Sequence, residues 1–159
     1  MQWDLATNII LVASLAALAI FAFLALFQWI QRKSLKKVDR PLLLMLVPLL
    51  LMVITYFIFD KFLILNTRPD GSGEPSFPST HVMVVATIFY LIAIILPNYV
   101  KSKTACVLLD VLMFILIILV SIGRVFANKH WISDVVGALI FAAIFALIYY
   151  LTLRRTKHE

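Results

Sequence analysis

The chain is poor in what usually holds a small water-soluble or secreted domain together. It has one cysteine, Cys106, in 159 residues, so no disulfide can form within it. A lone cysteine inside an apolar run reads as a small buried side chain. Charged residues are 14% of the chain, where soluble proteins carry about 25%. No internal repeat and no low-complexity linker is visible, and four glycines and six prolines leave little scope for loops.

Apolar residues fill the space instead. Hydrophobic types make up 64% of the chain, against about 45–50% in soluble proteins, and the mean hydropathy is +1.05. A membrane-crossing helix needs about 20 mostly apolar residues. Five stretches qualify, at residues of about 5–30, 41–63, 80–100, 105–124 and 133–153. The expected fold is all-α, a polytopic transmembrane bundle in a single domain over residues 1–159. The first stretch is too long for a removable signal peptide and has no basic flank or small-residue cleavage site, so it is expected to stay as a helix. Pro48 could kink the second, but a solitary transmembrane proline reads more often as tolerated structure.

The basic residues set the orientation. Arg32, Lys33, Lys36, Lys37 and Arg40 lie between the first two spans, Lys101 and Lys103 between the third and fourth, and Arg154, Arg155 and Lys157 at the chain end. With five spans these places share one side, and an excess of Lys and Arg in short loops marks the cytoplasmic side. Ten of the fourteen basic residues are thereby explained by topology, and no nucleic-acid partner is expected. Trp3 and Trp131 fall near the outer boundary and Trp29 near the inner one, as interfacial anchors.

Four cations remain, Lys61, Arg68, Arg124 and Lys129, all on the outer face. That face also carries RPDGSGEPSFPSTH, residues 68–81, which holds three of the six prolines and two of the four glycines. Three pieces of chemistry meet there. Lys61 and Arg68 are seven apart, so a continuing helix would aim both at one place; either alone also reads as a snorkelling side chain. Pro78-Ser79-Thr80-His81 opens the third span, where unpaired backbone N–H groups favour an anion; it also reads as an ordinary N-cap. Arg124 is followed by His130 and Asp134, a pair four apart in which a carboxylate would fix the imidazole tautomer and free the other nitrogen to attack. Arg124 and His130, six apart, do not share a helical face, so a turn is expected near Asn128. Lys129 reads as a solvated or headgroup-facing residue. His81, His130 and Asp134 are of metal-ligand type, but Lys61, Arg68 and Arg124 beside them would repel a dication and favour an anion.

In these residues the chain resembles the type 2 phosphatidic acid phosphatases, a membrane superfamily that shares its active site with vanadium haloperoxidases. The family pattern is Lys, six residues, Arg-Pro; then Pro-Ser-X-His; then Ser-Arg, five residues, His, three residues, Asp. Lys61 to Arg68-Pro69, Pro78-Ser79-Thr80-His81, and Arg124, His130 and Asp134 keep every spacing. Thr80 stands where Gly is usual, Gly123 replaces the Ser before the arginine, and five spans are counted where six are common.

The resemblance implies a lipid phosphatase. His130 would be the nucleophile of a phosphohistidine, oriented by Asp134; His81 would be the general acid and base; Lys61, Arg68, Ser79, Thr80 and Arg124 would hold the phosphate. No metal or cofactor is expected. The expected substrate is a lipid phosphate at the outer face of a bacterial inner membrane, of the lipid A 1-phosphate or undecaprenyl diphosphate type. Phosphatidylglycerophosphate or phosphatidic acid is the alternative. A transport protein or a catalytically silent lipid-binding protein is the reading from a different class.

Overall fold

A computed structural model describes residues 2–155; Lys157 of the C-terminal basic group lies outside them. Five helices in it are long and apolar enough to cross a membrane. The first, α1 (Gln2–Arg32), runs unbroken, with Asp4 in its first turn and Arg32 in its last, the charge order a helix macrodipole favours. The second span is broken. It consists of α2 (Arg40–Leu44), α3 (Leu46–Phe57) and a π-helical turn (Ile58–Phe62). The break at Met45 follows from Pro48, whose ring clashes with the carbonyl four residues earlier, that of Leu44.

The remaining spans are α4 (Thr80–Ile95, extended by a 3₁₀ turn Leu96–Asn98), α5 (Lys103–Phe126) and α6 (Ile132–Arg155). α4 is the hub, packing against α1, α3, α5 and α6. Val82, Met83, Val85, Ala86, Ile88 and Leu91 are all fully enclosed. A helix apolar all round is what a central position requires. The outward faces of α1 and α5 carry exposed Leu, Ile, Phe and Val, as expected where lipid is the solvent. Cys106 is buried, as its apolar setting implies.

The end with the basic loops is fastened by polar contacts. Gln28 Nε2 donates to Asp39 Oδ2 at 2.8 Å, the Asp39 N–H donates to Gln28 Oε1 at 2.9 Å, and Arg32 pairs with Asp39 at 3.2 Å. These bonds, led by that from Gln28, hold the Asp39 carboxyl below the usual carboxylate range. The Tyr149 hydroxyl donates to the Pro41 carbonyl at 2.7 Å, bringing the end of α6 to the start of α2.

At the opposite end, residues 63–79 form one compact loop. The Ser76 N–H donates to the Asn66 carbonyl at 2.9 Å and the Arg68 N–H to the Glu74 carbonyl at 3.0 Å, closing a small hairpin. Gly71 and Gly73 turn it, with φ of 79° and 74°, a backbone region that disfavours a side chain. The Phe77–Pro78 peptide is cis, and the Ser79 N–H donates to the Asp134 carbonyl at 3.1 Å, pinning the start of α4 to α6. The expected turn between Arg124 and His130 is present, with Asn128 in the left-handed region at φ 57°.

Candidate active site

A cavity of about 270 Å³ opens at the end of the bundle that holds this loop. Of the residues singled out by sequence, Arg68, Thr80, His81, Arg124 and His130 line it. The loop delivers Arg68, the first turn of α4 gives Thr80 and His81, the last turn of α5 gives Arg124, and the turn before α6 gives His130. Ser79 and Asp134 are fully buried and do not line the cavity.

Lys61 is placed differently from the expectation. The helix ends at Phe62, so Lys61 and Arg68 do not share a helical face. The Lys61 side chain is 64% exposed and pairs with Asp60 at 2.8 Å; Asp60 itself lines the cavity.

The contact between His130 and Asp134 also differs. α6 starts at Ile132, so the four-residue spacing does not lie on one helix. His130 Nδ1 is 2.8 Å from the Ser76 carbonyl and 3.8 Å from Asp134 Oδ2. A carbonyl only accepts, so Nδ1 carries the hydrogen and Nε2 keeps its lone pair. The tautomer is thus set by a backbone group of the loop. Asp134 accepts instead from the Trp131 N–H and from Asn66 Nδ2, both at 2.9 Å, and fixes the turn on which His130 stands. Burial, reinforced by the Arg124 charge, pushes the His130 pKa down to about 4, so the ring is neutral at pH 7.

The site is rich in donors without acceptors. Arg68 Nε, Arg124 Nε, Ser76 Oγ and Ser79 Oγ are buried with no hydrogen-bond partner among the described residues. Both guanidiniums meet a carboxylate through their outer nitrogens: Arg68 pairs with Glu74 at 2.6 Å and Arg124 with Asp4 at 2.9 Å. Lys129 pairs with Asp70 at 2.8 Å across the loop and takes no place in the cavity lining. No group of three or more His, Cys, Asp and Glu among the described residues is arranged to hold a metal ion.

Sequence reasoning missed the contribution of α1. Asp4 reaches Arg124, the Thr7 hydroxyl lies 3.5 Å from Arg124 Nη1, Asn8 Oδ1 is 2.8 Å from His81 Nε2, and Leu11 lines the cavity. Residues 4, 8 and 11 recur at helical spacing, and three polar residues within one turn of an otherwise apolar helix were the available signal. Ser76, which gives a carbonyl to His130, carried no such signal.

Comparison with known proteins bears on the fold and the family. The chain is similar to the crystal structure of the first transmembrane PAP2 type phosphatidylglycerolphosphate phosphatase from Bacillus subtilis. The TM-score is 0.74 at 19% identity, over 97% of this chain and 77% of that one, a likeness of fold. No curated protein matches. The model of the PAP2 superfamily matches residues 58–157, from the π-helical turn through the loop, α4, α5 and α6. With that match spanning more than half of its length, the chain belongs to the PAP2 superfamily.

Proposed function

We propose that this chain is a membrane lipid phosphatase that removes the terminal phosphate of a lipid mono- or diphosphate through a phosphohistidine on His130. The observation that carries the reading is the convergence of two histidines and two arginines on one cavity whose buried donors lack acceptors among the described residues. A tetrahedral phosphate offers acceptors in several directions, and a guanidinium grips two oxygens at once.

The chemistry requires a neutral His130 and an imidazolium at His81, whose positive charge the arriving phosphate favours. His130 Nε2 attacks phosphorus, an N–P bond forms, the P–O bond to the lipid breaks, and His81 gives its proton to the departing oxygen. The phosphorylated ring is positive, and both the Ser76 carbonyl and Asp134 lie on its Nδ1 side. His81, now neutral, takes a proton from water as the water oxygen attacks phosphorus; the N–P bond breaks and phosphate leaves. Arg68, Arg124 and Thr80, which line the cavity, hold the phosphoryl oxygens; Ser79 lies behind them, and Lys61 joins by exchanging Asp60 for the phosphate. Losing one such preorganised donor costs about a hundredfold or more.

The cavity lies at the end away from the basic loops, which under the positive-inside rule is the outer face of the cytoplasmic membrane. A cavity of about 270 Å³ framed by short loops suits a phosphate or diphosphate head better than a bulky one. This favours an undecaprenyl diphosphate or lipid A 1-phosphate type of substrate. Phosphatidylglycerophosphate, for which the Bacillus subtilis phosphatase is named, stays in the test panel, and phosphatidic acid with it.

The test is phosphate release by purified protein from these four lipids in excess chelator. Turnover that persists there, stops with vanadate and disappears in His130→Ala supports the reading. Strict need for a divalent ion, or robust turnover by His130→Ala, refutes the mechanism. Lipid flux without phosphate release would replace it with transport, and lipid binding with neither would mark a silent member.

A further inference from the structure

The outer end of α1 lies outside the segment matched by the family model, yet it reaches the site. Asp4 pairs with Arg124, and Asn8 Oδ1 meets His81 Nε2 at 2.8 Å. We propose that Asn8 is a positioning residue that holds the His81 ring in the orientation needed for proton transfer, so that α1 is part of the catalytic apparatus as well as a membrane span. The inference rests on the role given to His81 above.

His81 is the second residue of α4, on a backbone that Ser79 and Asp134 pin in place. What the backbone leaves free is rotation of the imidazole about its side-chain bonds. The contact with Asn8 removes that freedom. An amide oxygen only accepts, so Nε2 bears the hydrogen in the resting site, and the ring cannot flip without breaking the bond. Asn8 itself is held by position. It lies one turn from Asp4, whose pair with the buried Arg124 locks α1 in register with α5. Gly123 lets α1 approach closely: a Cβ there would lie 2.6 Å from Thr7 Cγ2. The same close packing that brings Thr7 to Gly123 places Asn8 against His81.

The functional alternative for Asn8, one of four polar residues in the first two turns of a lipid-facing helix, is simple solvation at the interface. The two roles separate in kinetics. A ring free to rotate is misplaced by about 1 Å or more, and a misplacement of that size can cost about a hundredfold in rate. A solvated residue costs nothing.

The experiment compares Asn8→Leu, which removes the acceptor at similar volume, with Asn8→Asp, which keeps it, each alone and in a His81→Ala background. Asn8→Leu is expected to lower kcat by about ten- to a hundredfold, the range of proton-transfer losses short of full removal, with KM changed less than about threefold. Asn8→Asp should retain most of kcat. In His81→Ala the further change to Asn8→Leu should be nearly silent, because the ring it positions is gone. A second readout is the first turnover: Asn8→Leu should slow phosphoryl transfer from a lipid phosphate more than from p-nitrophenyl phosphate, whose leaving group needs no proton. An Asn8→Leu enzyme with full kcat beside a slow His81→Ala overturns this inference alone. So does an equal loss in both backgrounds or an equal loss with both leaving groups. A fully active His81→Ala overturns the catalytic reading, and this inference with it.

Discussion

Gly137 on α6 gives the sharpest test of how the site is built, because two physical effects there have opposite signs. Replacing a helical glycine by alanine usually gains stability, by about 1 kcal/mol from backbone entropy. Here a Cβ would overlap Phe77 Cε2 and lie 2.6 Å from Cζ. Carbon atoms rest at about 3.5–4.0 Å, so the Phe77 ring must retreat by about 1 Å. It has little room, since its centroid is 5.2 Å from that of Phe59 and 6.4 Å from that of Phe141. Overpacking of this kind costs about 1–3 kcal/mol, which cancels or outweighs the gain. The expected result is a net loss of up to about 2 kcal/mol, read as a melting temperature lower by several degrees, given about 2–4 °C per kcal/mol at this size.

The consequence for activity is larger. Phe77 directly follows Ser76, whose carbonyl holds His130 Nδ1 at 2.8 Å. A displaced ring pulls on that carbonyl, and kcat should fall by about ten- to a hundredfold on the same positioning argument. Thermal unfolding in detergent and phosphate release measure the two effects on one preparation. Adding Phe77→Leu to Gly137→Ala should raise the melting temperature above that of Gly137→Ala alone. A Gly137→Ala protein that is more stable than its parent and equally active would show the reasoning to be wrong.

Further predictions concern the charges and the packing of α1. His130 loses a proton near pH 4 in the folded protein and near 6.5 when unfolded, so the acid limb of kcat/KM should lie near pH 4. Between those values the unfolded chain binds the extra proton, so stability should fall as pH drops from 6.5 towards 4, and His130→Gln should flatten that slope. Glu74 occupies Arg68 in the resting site and competes with a phosphate for it. Glu74→Gln should therefore strengthen inhibition by inorganic phosphate several-fold, and an unchanged or weaker inhibition constant would count against that competition. Gly123→Ser should lower the melting temperature, because its Cβ meets Thr7 at 2.6 Å. Thr7→Ala in the same chain should restore much of the loss.

What the sequence made legible is the chemistry carried by residue type. Arg68, Thr80, His81, Arg124 and His130 stand out by residue type and short spacing, and the structure brings these five to one cavity. The five spans are equally plain, because a hydrocarbon solvent demands uniform apolar runs. What stayed hidden depends on who meets whom. Asp134 was the obvious partner of His130 by spacing, but a backbone carbonyl at Ser76 has no residue signature and won by distance. Lys61 reads as a ligand in the motif, yet the helix stops one residue later and Asp60 takes its charge. Asn8 and Asp4 were passed over because their partners lie more than seventy residues away in the chain. Gly123 and Gly137 hide for the same reason: their need for a missing side chain exists only once Thr7 and Phe77 arrive.

The enclosure of α4 bears on how the protein comes to exist. As the chain is synthesised, α4 enters the bilayer before α5 and α6 have emerged, and lipid tails cover the surface that protein later covers. Exchanging lipid for helix brings no hydrophobic gain, so the bundle has to be closed by tight packing and by polar contacts between helices. Among the contacts that reach the first turn of α4 are the bond from the Ser79 N–H to the Asp134 carbonyl and that between His81 and Asn8. The polar groups gathered around the cavity are therefore also the clasp of the newly made protein.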